Sequence, residues 1–151
     1  MSDPTRFVYF ASAASNLVAN DVNGVNDVFV SDLQRGDLSR ISVSSQGVPS
    51  DAHSILGNIS KNGRYAIFWS SSDQLVPGDT NGTSDAFLVD RRNGRVRRVS
   101  LSFNGGQANA TIWDPVLSAN GRIAAFDSAA SNLIRQDANG LNDVFIRRLK
   151  R

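Results

Sequence analysis

The 151-residue chain has no cysteine. Disulfides and thiolate metal centres are therefore excluded, while the compartment stays open because many exported bacterial proteins also lack cysteine. Histidine occurs once, at His53. A two-histidine metal site within one chain is impossible. A histidine-dependent triad has His53 as its one candidate base, and no Gly-x-Ser-x-Gly nucleophile motif accompanies it. No apolar run approaches the ~18 residues of a membrane span. The N-terminus, Met1 to Arg6, holds no hydrophobic segment that could act as a secretory signal, so the expectation is a cytosolic protein or a mature or trimmed form. Net charge is also scarce. Sixteen Lys and Arg against 14 Asp and Glu leave +2, too little to imply a nucleic-acid partner. The arginines follow turns (Arg64, Arg122) or flank strands (Arg95, Arg97, Arg98), which reads as a solvated strand face spread by the sequence and not as one basic tract.

What the chain does have is a repeat of 58 residues. Asp21-Val-Asn-Gly-Val-Asn-Asp27 returns as Asp79-Thr-Asn-Gly-Thr-Ser-Asp85 and as Asp137-Ala-Asn-Gly-Leu-Asn-Asp143. Phe10, Phe68 and Phe126 keep the same spacing, as do Phe29, Phe87 and Phe145. Residues 2–35 and 118–151 share 18 identities in 34 positions without a gap. A fixed period of this size marks an array of equivalent supersecondary units sharing a continuous core. With 40% hydrophobic and 20% charged residues the chain is globular.

Within the second copy, Ile55 to Ile59 leads into an Asn62-Gly63 turn, whose residues tolerate positive φ. Tyr65-Ala-Ile-Phe-Trp69 reads as a buried strand, Ala86-Phe-Leu-Val89 as a third, and Asn93-Gly94 turns into a fourth, Val96 to Leu101. Copy three opens with Trp113 to Leu117 and continues with Ile123 to Phe126. Copy one supplies Phe7 to Phe10, Val28 to Val30 and Leu38 to Val43. The fold class is therefore all-β: β-propeller blades of four antiparallel strands, with about 2.6 repeats in the chain. Lettering the strands of a blade A to D, residues 2–52 carry BCD, 53–110 ABCD and 111–151 ABC, together one module over residues 1–151.

Ser-x-Asn-Gly-Arg, an aliphatic-aromatic strand and Asp-x-Phe-hydrophobic resemble the WD40-like repeat of TolB-type bacterial propellers. Copies one and three add Ala-Ser-Asn-Leu-(x3)-Asp-x-Asn-Gly-x-x-Asp-Val-Phe, similar to a subgroup of that family. Copy two departs with Ser72-Asp-Gln-Leu75 where the others have Ala14-Ser-Asn-Leu17 and Ala130-Ser-Asn-Leu133, and copy one departs with Asp3-Pro-Thr5 in place of the Asn-Gly turn. The resemblance implies a propeller serving as interaction platform, peptidase gate or binding domain, in a bacterial periplasmic or extracellular setting. Fold alone does not select among these roles.

An array of this kind cannot close a ring of four to eight blades, and its end blades present open strand edges. Either two chains associate into a ring of about six blades, or the chain is part of a longer propeller. Joining the end of one chain to the start of another omits a D and an A strand, which counts against a simple seam. Self-association, most simply as a dimer, is the favoured expectation.

The chief chemical candidate is the thrice-repeated Asp-x-Asn-Gly-x-x-Asp. Asp21, Asn23 and Asp27, with Asp79, Asn81 and Asp85 and with Asp137, Asn139 and Asp143, could offer oxygen ligands to calcium, which takes six to eight in flexible loops. The alternative is turn architecture: Asn-Gly turns the chain, the first Asp makes an Asx-type hydrogen bond, and the last ties loop amides to the next strand. Trp69 and Trp113 break the repeat. Trp113 stands where copy two has Ile55, which suits core filling, whereas Trp69 aligns with Ala11 and Asp127 and is the candidate ligand or partner surface. The expected function is a non-catalytic binding scaffold that self-associates. The alternatives are a carbohydrate-binding propeller assisted by calcium and an accessory segment of a larger hydrolase. No catalytic set and no required cofactor are read from the residues.

Overall fold

The computed structural model describes residues 6–150, so the Asp3-Pro-Thr5 departure lies outside the described residues. Every regular element in that range is a strand. They are β1 (Phe7–Ser12), β2 (Asp27–Asp32), β3 (Asp37–Arg40), β4 (Ser54–Ile59), β5 (Tyr65–Ser70), β6 (Asp85–Asp90), β7 (Arg95–Arg98), β8 (Ile112–Leu117), β9 (Ile123–Ser128) and β10 (Asp143–Arg148). They form three separate antiparallel sheets, β1-β2-β3, β4-β5-β6-β7 and β8-β9-β10, in meander order. This is an open array of β-propeller blades, one of four strands between two of three.

The period of the sequence is also the period of the pairing. Phe10 lies opposite Phe29, Phe68 opposite Phe87 and Phe126 opposite Phe145. The first two pairs stack with ring centroids 5.6 Å apart. Asn-Gly and Gly turns join the strands, with Gly63, Gly94 and Gly121 near φ +70°.

The middle sheet explains why its strands read as apolar runs without strict alternation. Both of its faces are covered. Ala66, Phe68, Phe87 and Val89 pack against Val28 and Val30 of the first sheet and Ile41 just after it. Tyr65, Ile67, Ala86 and Leu88 pack against Ile112, Ala124, Phe126 and Phe145 of the third. Alternate residues of one strand thus serve two different cores.

Four contacts fix how the blades meet. Gly57 sits at a bulge in β4, and a Cβ there would lie 1.9 Å from the Pro115 carbonyl oxygen. Beside it, the Asn58 side-chain amide donates to the Leu117 carbonyl at 2.9 Å and accepts from the Leu117 N–H at 2.6 Å, standing in for a backbone partner. At the turn end, the Phe7 ring lies over Gly63 and the Tyr65 ring over Gly121, so that a Cβ at either glycine would fall within 2.7 Å of a ring carbon.

Candidate functional site

The three Asp-x-Asn-Gly-x-x-Asp loops connect the second and third strands of each blade and sit at the same end of the array. In each, glycine takes positive φ, at Gly24, Gly82 and Gly140. In all three loops the asparagine makes an Asx hydrogen bond, and in the second the Asn81 backbone N–H also bonds the Asp79 carboxylate, as expected of the first aspartate. Asn23 Oδ1 accepts from the Val25 N–H at 3.3 Å, Asn81 Oδ1 from Thr83 at 3.2 Å and Asn139 Oδ1 from Leu141 at 2.9 Å. The physical reason is position: the asparagine directly precedes the glycine, so its side chain reaches the amide two residues on. The last aspartate holds side chains, not the loop amides expected of it. Asn23 Nδ2 donates to Asp27 Oδ2 at 2.8 Å, Asn81 Nδ2 to Asp85 Oδ2 at 3.0 Å and Asn139 Nδ2 to Asp143 Oδ2 at 2.8 Å.

The residues that complete the first two loops come from the blade's fourth strand. Arg40, at the end of β3, donates to Asp21 Oδ1 at 3.0 Å and to Asp27 Oδ2 at 2.9 Å. Ser42 Oγ donates to Asp27 Oδ1 at 2.5 Å and accepts from the Val28 N–H. In the middle blade, Arg98 Nη2 lies 3.1 Å from Asp79 Oδ2, its Nε lies 3.5 Å from Asp85 Oδ2, and Ser100 Oγ donates to Asp85 Oδ1 at 2.5 Å. The guanidinium lies between two carboxylates, where a cation bound by this motif would have to sit. Burial pushes the Asp85 carboxyl above its usual range, against the pull of Ser100, Arg98 and Asn81. Burial also pushes Asp79 up to about 6, with Arg98 opposing and the Asp85 charge adding to it.

Arg40-Ile-Ser42 and Arg98-Val-Ser100 are themselves 58 residues apart, so the same period carried the signal for these missed partners. In the third blade, Asp137, Asn139 and Asp143 keep the loop geometry but meet no fourth strand. Asp137 and Asp143 are half-buried where Asp21, Asp27, Asp79 and Asp85 are buried. Among the described residues, no group of three or more His, Cys, Asp or Glu side chains could hold a metal ion.

The other candidates stand apart from these loops' carboxylates. His53 is exposed, and its Nδ1 accepts from the Asn26 N–H at 3.0 Å, a tie between loops. Trp69 is half-buried at the end of β5, between Ile55 and Ala86 on the neighbouring strands. Trp113 is also half-buried and sits opposite Asp127, outside both cores, because its counterpart Ile55 is itself at an exposed strand end. Lys61, Arg64, Arg91, Arg92 and Arg95 lie together at the hairpin-turn end of the middle blade, opposite the aspartate loops where Arg40 and Arg98 sit. Arg64 there donates from Nε and Nη2 to both Asp90 oxygens at 2.9 and 2.6 Å, as Arg6 does to Asp32. That hydrogen-bonded pairing holds Asp32 down at about 2.

No family model matches the sequence, and no curated protein does. Solved structures do resemble the fold. "TolB from Acinetobacter baumannii" is 20% identical with a TM-score of 0.51, covering 95% of this chain and 27% of its own. A "putative TolB from Agrobacterium tumefaciens" is 16% identical with a TM-score of 0.53, covering 95% of this chain and 42% of its own. The chain thus spans less than half the length of either. At these identities the likeness shows a TolB-like propeller architecture and nothing of ligand or activity.

Proposed function

We propose that the chain is a non-catalytic β-propeller module that binds protein through the faces of its terminal blades, with a second copy as its first partner. The observation that carries this is the outer face of the third sheet. Val144 is 74% exposed and Ile146 71%. Their counterparts one period earlier, Ala86 and Leu88, are 0% and 2% exposed because the next blade covers them. On the first sheet Val8 is exposed where its counterpart Ala66 is buried. These are inter-blade faces without a blade, one at each end, and they are complementary in the sense that the internal interfaces are. Covering a valine or isoleucine is worth about 1.5–3 kcal/mol per side chain.

In this reading the aspartate loops are latches that hold the fourth strand, and the arginine stands in for a bound cation. The support is the pairing of Arg40 and Arg98 with both carboxylates of their loops. Light scattering with and without millimolar calcium tests both statements. The expected mass is twice 16.3 kDa, unchanged by calcium. A monomer at all concentrations would sink self-association, and a calcium-dependent mass or melting temperature would return the loops to cation binding.

A further inference from the structure

We propose that the hairpin-turn end of the middle blade holds a binding site for a phosphate monoester, built from Arg64, Arg95 and Arg97. The repeat breaks there, and it breaks in one direction of charge. Leu33, Gln34, Asp37 and Ser39 of the first copy become Arg91, Arg92, Arg95 and Arg97 one period later. Four positions that hold one negative charge in the first blade thus hold four positive charges in the second. What repeats, such as the Arg6–Asp32 and Arg64–Asp90 pairs, builds the blade. The four arginines are not needed for that, because the first blade pairs its third and fourth strands in the same register without them.

Arg95 and Arg97 line a cavity of about 340 Å³ between the middle and third blades. Its walls include Arg64, Asp90, Asn93, Arg95 and Arg97 of the middle blade, and Lys150 after β10. That volume is large enough for a small ligand. Arg64 is committed to Asp90 through Nε and Nη2. Arg95, Arg97 and Lys150 make no ion pair among the described residues. Arg40 and Arg98, on the same two fourth strands, each lie between two carboxylates. Arg97 is half-buried, and burial together with the neighbouring Arg95 charge pushes its guanidinium below its usual value. It stays charged at neutral pH. Like charges held around one cavity repel until an anion enters. Edge protection alone does not account for them, because a charge of either sign blunts an open edge and Asp37 already supplies one in the first blade.

The charge selects the ligand. A carboxylate brings one negative charge, whereas a phosphate monoester brings about 1.5–2 at neutral pH on three acceptor oxygens. Two or more unpaired cations match the phosphate, and guanidinium forks bind its oxygens in pairs. This goes beyond the scaffold reading and needs neither a second copy nor the terminal faces.

The test titrates the full chain with glycerol 3-phosphate by calorimetry, and floats it with phosphatidylcholine vesicles that contain or lack phosphatidic acid. The two arms separate a soluble phosphate monoester from a lipid headgroup of the same chemistry. Saturable binding is expected in at least one arm, with acetate about tenfold weaker or more. Arg95→Asp/Arg97→Ser installs the residues of the first blade and should weaken binding about tenfold or more, with circular dichroism confirming the fold. Arg97→Ser alone should weaken it in the same direction, and it decides the matter if the double variant melts. Arg92→Gln, outside the cavity, should stay within about twofold of the wild type at physiological salt. No saturable binding in either arm, binding unchanged in Arg97→Ser, acetate bound as tightly as phosphate, or an equal loss from Arg92→Gln would overturn the assignment.

Discussion

Arg98→Ala is the sharpest perturbation of the latch. The Arg98, Asp79 and Asp85 side chains are 7%, 4% and 0% exposed, with one guanidinium serving two carboxylates. Removing it leaves both acids buried without a cation. Breaking a buried ion pair from one side costs about 3–5 kcal/mol, a large share of the 5–15 kcal/mol typical of a domain. The loss should depend on pH. Burial already pushes Asp79 up to about 6 and raises Asp85, and Arg98 is the cation opposing both shifts. A carboxyl whose folded pKa is raised above its unfolded value of about 3.9 favours the folded state when protonated, so its penalty grows as pH climbs through the folded value. Without Arg98 the upward shift is larger still. The variant should therefore lose most relative to the wild type near pH 8 and much less near pH 5. Urea unfolding at both pH values, followed by tryptophan fluorescence at one protein concentration, reads the difference directly. A loss under about 1 kcal/mol at pH 8, or one identical at pH 5, would refute the claim that the guanidinium holds the loop.

Three further outcomes follow from the packing. Gly57→Ala places a methyl group 1.9 Å from the Pro115 carbonyl oxygen, which must drive β4 and β8 apart. The expected cost is about 1–3 kcal/mol and a melting temperature lower by several degrees, and an unchanged calorimetric midpoint would contradict it. Phe87→Ala empties the stacked pair with Phe68 between the first two blades and should cost about 3–5 kcal/mol in denaturant unfolding. Asp32 is held down at about 2 by Arg6, so it stabilises the fold above its unfolded pKa and stops doing so as pH falls toward 2. Asp32→Asn should accordingly be less stable than the wild type at pH 7 and converge with it in acid, and a gap that persists at pH 2 would rule this out.

The periodicity made the strands and the Asn-Gly turns legible, because each depends on neighbours within one repeat, and it marked the recurring phenylalanines without showing that they face one another. The latch was harder to read. Asp21 and Arg40 are 19 residues apart and Asp27 and Ser42 are 15 apart, so which strand reaches which loop follows from the sheet order and not from local spacing. A repeated Asp-x-Asn-Gly-x-x-Asp looks the same whether a metal or a guanidinium fills it. The charge pattern was obscured in a similar way. Arg64 and Arg92 are separated along the chain, yet hairpins return both to one end of the blade. Trp113 shows the reverse difficulty: an isoleucine counterpart suggests a core position only if that isoleucine is itself buried, and Ile55 is 37% exposed.

The glycine seats at the turns have a mechanical consequence. Phe7 rests on bare backbone at Gly63, and Tyr65 does the same at Gly121, so at that end the separation between successive blades is one ring thickness. At the first seat Arg91 of the middle blade braces the same ring, 4.4 Å from the Phe7 centroid, and donates to the Tyr9 hydroxyl and the Gly63 carbonyl. The wedge angle between blades, and hence the curvature of the array, is thereby tied to two positions that admit no Cβ. An alanine at either would act as a shim, opening that end and flattening the arc while leaving each sheet intact.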